Sequence, residues 1–187
     1  MDHGKANQAP EILLSRYQIE QRVGELGAEI TRDYHGRAPH LVGILKGAWV
    51  FMADLVRHID IDVTVDFLGI TSYGSGTKSS GEVKITKDLD VSIENREVLI
   101  VEDILDTGRT LKYLQQVLSA HKPRSVRVVT LLDKRSRRIV PVRADYVGFE
   151  IADVFVVGYG LDFDQKYREL PDIHVLRPVV QPQPTDS

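Results

Sequence analysis

The chain has 187 residues, of which 42% are hydrophobic and 27% are charged, proportions typical of a water-soluble globular protein of about one domain. Its formal net charge of −3 argues against nucleic acid or an anionic membrane surface as a partner. Because the chain contains no cysteine and no long apolar span, it excludes a disulfide framework, a thiolate nucleophile and membrane insertion, and we expect a cytoplasmic protein.

Flexible polar tails are predicted at residues 1–10 and 181–187, and a single domain is predicted over residues 11–180. The first helix begins with a capping-box pattern formed by Ser15 and Gln18, after which apolar residues recur at helical spacing. The later predicted elements alternate, with strands at 41–45, 63–70, 98–101, 126–132, 146–151 and 154–159 and helices at 48–58 and 110–120. This alternation predicts an α/β fold, a mostly parallel twisted sheet with helices on both faces.

A segment rich in glycine and serine follows the second predicted strand. Residues 72–81 include three glycines and four serines, and we expect residues 72–87 to form a mobile loop. Such a loop is either a plain hairpin connection or a lid that closes over a charged substrate. Long structureless loops in compact domains are usually functional, which favours the lid.

The most informative segment is a β-branched strand that leads into three acids, a Thr-Gly turn and a helix. The run from Val98 to Val101 lacks polar alternation, as in a strand covered on both faces of a parallel sheet. Ligands of such sheets bind beyond the carboxyl ends of the strands, and the N–H groups of a helix N-terminus bind phosphate. The alternative is that the acids are solvated and that Asp106 only caps the helix. One acid would fit that interpretation, but three acids followed by Thr-Gly-x-Thr favour a ligand site.

The motif Glu102-Asp103-x-x-Asp106-Thr107-Gly108-x-Thr110 resembles the phosphoribosyl-pyrophosphate (PRPP) motif of type I phosphoribosyltransferases, and further matches resemble the hypoxanthine-guanine branch. The resemblance extends from about residue 11 to residue 177. Neither a Walker A loop nor a dinucleotide fingerprint is present. The resemblance implies a Rossmann-like core with a small hood made from the N- and C-terminal segments.

The resemblance also implies roles for the acids and the loop. Glu102 and Asp103 would bond the ribose hydroxyls, and Asp106 would be the general base that accepts the N7 proton of the purine. Mg²⁺ would be held mainly by pyrophosphate and ribose oxygens, with Asp162, Glu102 and Asp103 as the candidate protein ligands. The ribose 5′-phosphate would bind the loop formed by Asp106, Thr107, Gly108, Arg109 and Thr110.

Pyrophosphate recognition is assigned by resemblance to two further places. Lys46 and Gly47 end the first strand of the core and would bind pyrophosphate, with a cis peptide between them; without the resemblance they indicate only a solvated lysine beside a turn. Arg168 would neutralise the leaving pyrophosphate, although by itself it is typical of a surface charge. Ser72 and Tyr73 match the Ser-Tyr pair of the family's lid.

The purine pocket is implied in the C-terminal half. Lys134 would donate to O6 of a 6-oxopurine and so exclude adenine, Phe155 would stack on the ring, and the backbone of Val156 would bond its edge, with Asp162 nearby. Without the resemblance, Phe155 would be a core residue and Lys134 part of a solvated basic run. For residues 135–138 we keep the solvated interpretation.

The predicted function is purine salvage: transfer of the 5-phosphoribosyl group from PRPP to N9 of hypoxanthine or guanine, giving IMP or GMP and pyrophosphate. Orotate and adenine are disfavoured by the matched purine residues, whereas a xanthine-preferring enzyme stays open. A regulatory nucleotide-binding protein of the same fold is a further alternative, disfavoured by the acidic balance. Relatives form dimers or tetramers, and Trp49 and Phe51 are candidates for either core or interface.

Overall fold

The computed structural model describes residues 11–72 and 83–176. The strands are β1 (Glu11–Leu14), β2 (His40–Leu45), β3 (Thr64–Ser72), β4 (Val83–Lys87), β5 (Glu97–Leu105), β6 (Ser125–Asp133), β7 (Tyr146–Glu150), β8 (Val156–Val157) and β9 (Ile173–Val175). The helices are α1 (Arg16–Asp33), α2 (Trp49–Val56) and α3 (Arg109–Ala120), with a short 3₁₀ helix at Arg135–Arg137. No helix in these two ranges is long and apolar enough to cross a membrane.

The main sheet has six strands in the order β4-β3-β2-β5-β6-β7. Its pairings are parallel except for the edge strand β4, which runs antiparallel to β3. Alternate side chains of β5 point to opposite faces: Leu99 packs in the core under α1 and α2, and Ile100 packs in the core under α3. The predicted parallel sheet with helices on both faces is therefore confirmed.

The predicted start of the first helix is also confirmed. The Ser15 side chain accepts from the backbone N–H of Gln18, and the Gln18 side chain accepts from the N–H of Ser15 at 2.9 Å. These two bonds satisfy N–H groups that have no partner inside the helix. The predicted apolar stripe of α1 is buried, including Ile19, Val23 and Ile30.

A second sheet forms the expected hood from the two ends of the domain. Its strands β1, β9 and β8 pair antiparallel, with Glu11 opposite Val175. The sequence pattern did not indicate β1 or β9, because strands of three or four residues carry too little periodicity. The strand predicted at 154–159 is reduced to β8, since Gly158, Tyr159 and Gly160 all have positive φ and turn the chain.

The expectation of a mobile loop over residues 72–87 was wrong at both ends. Ser72 is the last residue of β3, and β4 pairs with β3 from Ser72 opposite Val83 to Gly69 opposite Lys87. The Lys87 ammonium bonds the carboxylate of Asp66 and the carbonyl of Phe67, which anchors this hairpin to the core. Tyr73, the predicted lid and the two predicted tails lie outside the described residues.

Candidate active site

The carboxyl ends of neighbouring parallel strands bring the predicted site residues to one edge of the main sheet. The N–H of Lys134, the residue after β6, donates to the carbonyl of Leu105 at the end of β5. A cavity of about 310 Å³ opens at this edge. It is lined by Gly47 of the predicted pyrophosphate site and by most of the predicted ribose-phosphate residues, namely Glu102, Asp103, Asp106, Thr107, Gly108 and Thr110.

Two adjacent acids form the floor of the cavity. β5 is longer than predicted, and Glu102 and Asp103 lie within it because its pairing with β6 continues to Leu105. Burial raises the pKa of Glu102 well above its ordinary value, and burial raises the pKa of Asp103 to about 6. In the described part of the chain neither carboxylate forms an ion pair. The pair therefore suits hydroxyl donors or a hard cation.

The loop beyond the acids leads directly into α3. The N-cap of α3 is Gly108 and not Asp106, which removes the simple capping interpretation of that acid. Gly108 has φ +85°, and a Cβ there would lie 2.7 Å from a methyl group of Val142. The first N–H groups of α3 thus face the cavity edge, with the helix dipole favouring an anion. Arg109, predicted to bind phosphate, is exposed.

The segment after β6 supports this loop from behind. The Arg138 guanidinium donates to the carbonyl of Asp106 and pairs with Asp133, and the N–H groups of Ile139 and Val140 donate to the carbonyl of Thr107 at 3.0 and 3.1 Å. The Arg138 side chain is only 15% exposed. The prediction that this arginine is solvated was therefore wrong.

The two neighbouring arginines of this segment, Arg137 and Arg135, have different contacts. Arg137 Nε lies 3.2 Å from Asp106 Oδ1, so this residue also contacts the loop, but its side chain is 47% exposed, as the solvated interpretation predicted. Arg135 is 64% exposed, as predicted, although it pairs with Asp133 and Glu150 at the surface. A run of basic residues does not indicate which of its members contacts the loop around Asp106. For this reason the sequence analysis missed the contacts of Arg137 and Arg138.

Close backbone contacts join the end of β2 to β5 and to the C-terminal loop. A Cβ on Gly47 would lie 1.6 Å from Asp103 Oδ2, and a Cβ on Gly160 would lie 2.3 Å from the carbonyl oxygen of Gly47. The cis peptide lies between Leu45 and Lys46, one bond before the predicted position. The exposed Lys46 ammonium donates to Gln165 Oε1 at 3.0 Å. Gly160 and Gln165 are site residues that the sequence analysis missed.

The structure pairs Arg168 with Asp162, the two residues assigned to pyrophosphate and to metal. Arg168 Nη2 lies 2.7 Å from Asp162 Oδ1, and Arg168 Nη1 donates to the carbonyl of Gly160 at 2.7 Å. The other carboxylate oxygen of Asp162 accepts from the N–H of Gln165. The charge of Arg168 lowers the pKa of Asp103 and that of Asp162 raises it, although burial outweighs both. This pair thus adjoins the acidic floor.

The predicted purine residues are not among the described residues that line this cavity. Lys134 is buried, and in residues 11–72 and 83–176 its ammonium has no hydrogen-bond or ion-pair partner. Phe155 is 50% exposed, which rules out the core interpretation. Its ring packs edge to face on that of Phe163, with 5.7 Å between the ring centroids. Val156 is buried and pairs with Val175 in the hood sheet.

Comparison with known proteins agrees with this geometry. Residues 11–164 match the family model described as the phosphoribosyl transferase domain. The chain belongs to this phosphoribosyl transferase family. It is 53% identical to a hypoxanthine-guanine phosphoribosyltransferase of Bacillus subtilis (strain 168) over 170 residues, which cover 91% of this chain and 94% of that protein.

Solved structures give the same result. A Staphylococcus aureus hypoxanthine phosphoribosyltransferase superposes with a TM-score of 0.86 and 51% identity, over 90% of this chain and 91% of that one. A Trypanosoma cruzi hypoxanthine phosphoribosyl transferase, studied for the role of its C-terminal region in oligomeric state and activity, superposes with a TM-score of 0.85 and 44% identity, over 90% and 91%. The predicted phosphoribosyltransferase fold is confirmed.

The two candidates for core or interface separate in this phosphoribosyltransferase fold. Phe51 is completely buried in the core, whereas Trp49 is 50% exposed. Trp49 and the exposed Tyr17 line a second cavity of about 710 Å³ between α1, α2 and the C-terminal loop. Trp49 alone therefore stays a candidate for an interface.

Gly160→Ala should destabilise the protein by about 2–4 kcal/mol, because it combines a positive φ with overlap of the Gly47 carbonyl. Gly36→Ala is the matched control: Gly36 also has a positive φ but nothing within 4 Å of a Cβ, so only about 1–2 kcal/mol should be lost. Urea unfolding measures both. Equal losses would mean that the contact with Gly47 imposes no constraint.

Glu102→Gln should stabilise the ligand-free protein increasingly as pH rises. The raised pKa means that the folded state keeps a proton that the unfolded state releases, so wild-type stability falls above the unfolded pKa of about 4.3. The variant does not lose stability in this way. Its free energy of unfolding should exceed that of the wild type by near zero at pH 4 and by roughly 1–3 kcal/mol at pH 8. Unfolding experiments in buffer that contains a metal chelator measure this difference. Glu94→Gln, which replaces an exposed acid, is the control. A difference that does not change with pH would contradict the argument.

Proposed function

We propose that this chain transfers the 5-phosphoribosyl group of PRPP to N9 of hypoxanthine and guanine, releasing pyrophosphate and the purine nucleoside monophosphate. The observation that carries the proposal is the single cavity that joins the buried acids Glu102 and Asp103 to the phosphate-type loop from Asp106 to Thr110. The extensive similarity to proteins named hypoxanthine-guanine phosphoribosyltransferase supports the same activity.

PRPP binding is assigned to the end of β5 and the start of α3. Glu102 and Asp103 accept from the ribose 2′ and 3′ hydroxyls, because their carboxylates otherwise have no cationic partner in the described structure. The 5′-phosphate accepts from the N–H groups of the loop and from the hydroxyls of Thr107 and Thr110. Arg109, exposed at the first helical position, adds positive charge near this phosphate.

Pyrophosphate is assigned to the opposite side of the cavity. The backbone at Lys46 and Gly47 lies against Asp103, and Arg168 lies close enough to affect the pKa of that acid. Arg168 is held by the Gly160 carbonyl and by Asp162, which fixes its guanidinium beside the leaving group. Ser72, at the end of β3, and Tyr73 are proposed to cover this group during the reaction.

The donor chemistry of the site fits Mg²⁺. The described residues contain no cluster of three or more His, Asp or Glu side chains suited to holding a metal ion by themselves. They do place uncompensated carboxylate oxygens of Glu102 and Asp103 near Asp162, and such a set suits a hard cation carried mainly by PRPP oxygens. When bound, Mg²⁺ would neutralise charge on the departing pyrophosphate.

The chain's own residues then perform the displacement at ribose C1. As the bond to pyrophosphate breaks, positive charge grows on the ribose, and the carboxylates of Glu102 and Asp103 stabilise it. The bond from purine N9 forms at C1, and the Asp106 carboxylate accepts the proton from N7. Asp106 lines the cavity and its side chain is 39% exposed, so it is accessible to the incoming base.

Purine selection is assigned to the buried Lys134 and to the exposed ring of Phe155. An unpaired ammonium with a buried stem donates to a carbonyl oxygen such as O6, but it is left without an acceptor against the amino group of adenine. Phe155 presents its ring for stacking while Phe163 supports its edge. We also propose that the enzyme is a homodimer or homotetramer, with Trp49 as a candidate contact.

Turnover with PRPP and Mg²⁺ should give product from hypoxanthine or guanine and none from adenine. Asp106→Asn preserves the shape of the side chain but removes the base, so kcat should fall by roughly 10²–10⁴. Asp60→Asn, at an exposed aspartate distant from the cavity lining, is the control. Nucleotide formation is followed for each purine separately, with xanthine included. Absence of product from every base would overturn the proposed activity, and product chiefly from xanthine would change the substrate.

Lys134→Ala should lower kcat/KM for hypoxanthine by roughly 10- to 100-fold, because the pocket loses a hydrogen bond from a charged donor. The KM for PRPP should change little, and discrimination against adenine should shrink. Lys112→Ala, on the exposed face of α3, controls for the loss of a positive charge. An unchanged KM and kcat for hypoxanthine would show that Lys134 does not contact the base.

A further inference from the structure

The two oxygens of the Asp106 carboxylate have different environments. Oδ1 has no accessible surface, yet the side chain as a whole is 39% exposed, so the exposure falls mainly on the side that carries Oδ2. In the described residues the only charged group that contacts this carboxylate is the guanidinium of Arg137, whose Nε lies 3.2 Å from Oδ1. Oδ1 thus has an ion-pair contact but no hydrogen-bond partner among the described residues, and the side that carries Oδ2 is available to a ligand.

Arg137 reaches this carboxylate from the purine side of the site. It ends the 3₁₀ helix that follows Lys134, and its Nη1 lies 3.4 Å from Asp153 Oδ2, two residues before Phe155. The negative charge of Asp106 is the main cause of the raised pKa of Arg137. The guanidinium therefore connects the phosphate loop to the segment that presents Phe155.

The next residue holds the backbone at the same position. Arg138 donates to the Asp106 carbonyl, while Arg137 contacts the Asp106 side chain. Consecutive arginines thus restrain both the backbone and the carboxylate of one residue. An ion pair to one oxygen, together with a held backbone, restricts rotation about the side-chain bonds of the aspartate, which limits the directions from which its other oxygen accepts a proton.

We propose that Arg137 is a positioning residue for Asp106, which holds Oδ1 so that Oδ2 faces the N7 proton of the incoming purine. The inference rests on the proposed function, since it assigns Arg137 a part in the same proton transfer. Without Arg137 the carboxylate is free to turn about its side-chain bonds, and fewer bound complexes have the geometry needed for the transfer. Asp153 keeps the guanidinium in place from its other side.

The test is a double-mutant cycle with Arg137→Gln and Asp106→Asn. Arg137→Gln should lower kcat by roughly 10-fold and leave the KM for PRPP within about twofold, because only orientation of the base is lost. In the Asp106→Asn background the same substitution should change kcat by less than about twofold, since no base remains to be oriented. Arg137→Lys, which keeps the charge, should restore most of the activity.

Arg135→Gln is the matched control, because Arg135 lies on the same 3₁₀ helix but pairs with Asp133 and Glu150. Its kcat should equal that of the wild type. An Arg137→Gln enzyme with wild-type kcat would overturn the inference, and so would an equal loss in both Asp106 backgrounds, which indicates a structural role. Wild-type turnover is measured first: its absence refutes the proposed function itself, whereas an active wild type with an unaffected Arg137→Gln variant refutes only the role of Arg137.

Discussion

The parallel pairing of β5 with β2 and β6 is the constraint on which the site depends. Gly43 pairs with Val101 and Leu105 pairs with Asp133, so three chain segments leave the sheet at the same edge. Residues 46–47, 106–110 and 134 follow these strand ends directly, and Glu102 and Asp103 lie in the last part of β5. Because parallel strands also place the N-terminus of the following helix at this edge, backbone donors and acidic side chains meet there without any further folding requirement.

Charge is distributed unevenly across this edge. Asp162 is paired with Arg168 and Asp106 with Arg137, whereas the buried Glu102 and the partly buried Asp103 have no contacting cation in the described structure. Burial of two adjacent acids disfavours the ionised folded state. A ligand that supplies hydroxyl donors or a cation relieves this cost, so part of the binding energy comes from strain already present in the free protein.

Local patterns in the sequence predict the core and the main motif. They do not predict contacts between residues that are far apart in the chain. Ser15 and Gln18 are three residues apart and define the start of α1, and the acids of the motif lie in the last residues of β5 or directly after it. The contact between Gly160 and Gly47 joins positions far apart in the chain, as does the pairing of Arg137 with Asp106. Neither has a periodic or spacing signal. β4 was missed because it directly follows a glycine-rich segment and exposes polar side chains.

The two sheets carry different parts of the proposed site, and the contacts between the sheets set the relative position of those parts. The parallel sheet carries the acids and the phosphate loop, whereas the hood sheet and its loop carry Phe155, Val156 and Asp162. The hood is built from the two ends of the domain, with β1 paired to β9, so its position depends on how those ends are tied to the core. The polar and steric links include Gly160 against Gly47, Lys46 to Gln165, the Tyr159 hydroxyl to Asp54, and Arg137 between Asp106 and Asp153. Three of these links include a residue of the proposed site, so the position of the hood relative to the main sheet depends on residues of that site.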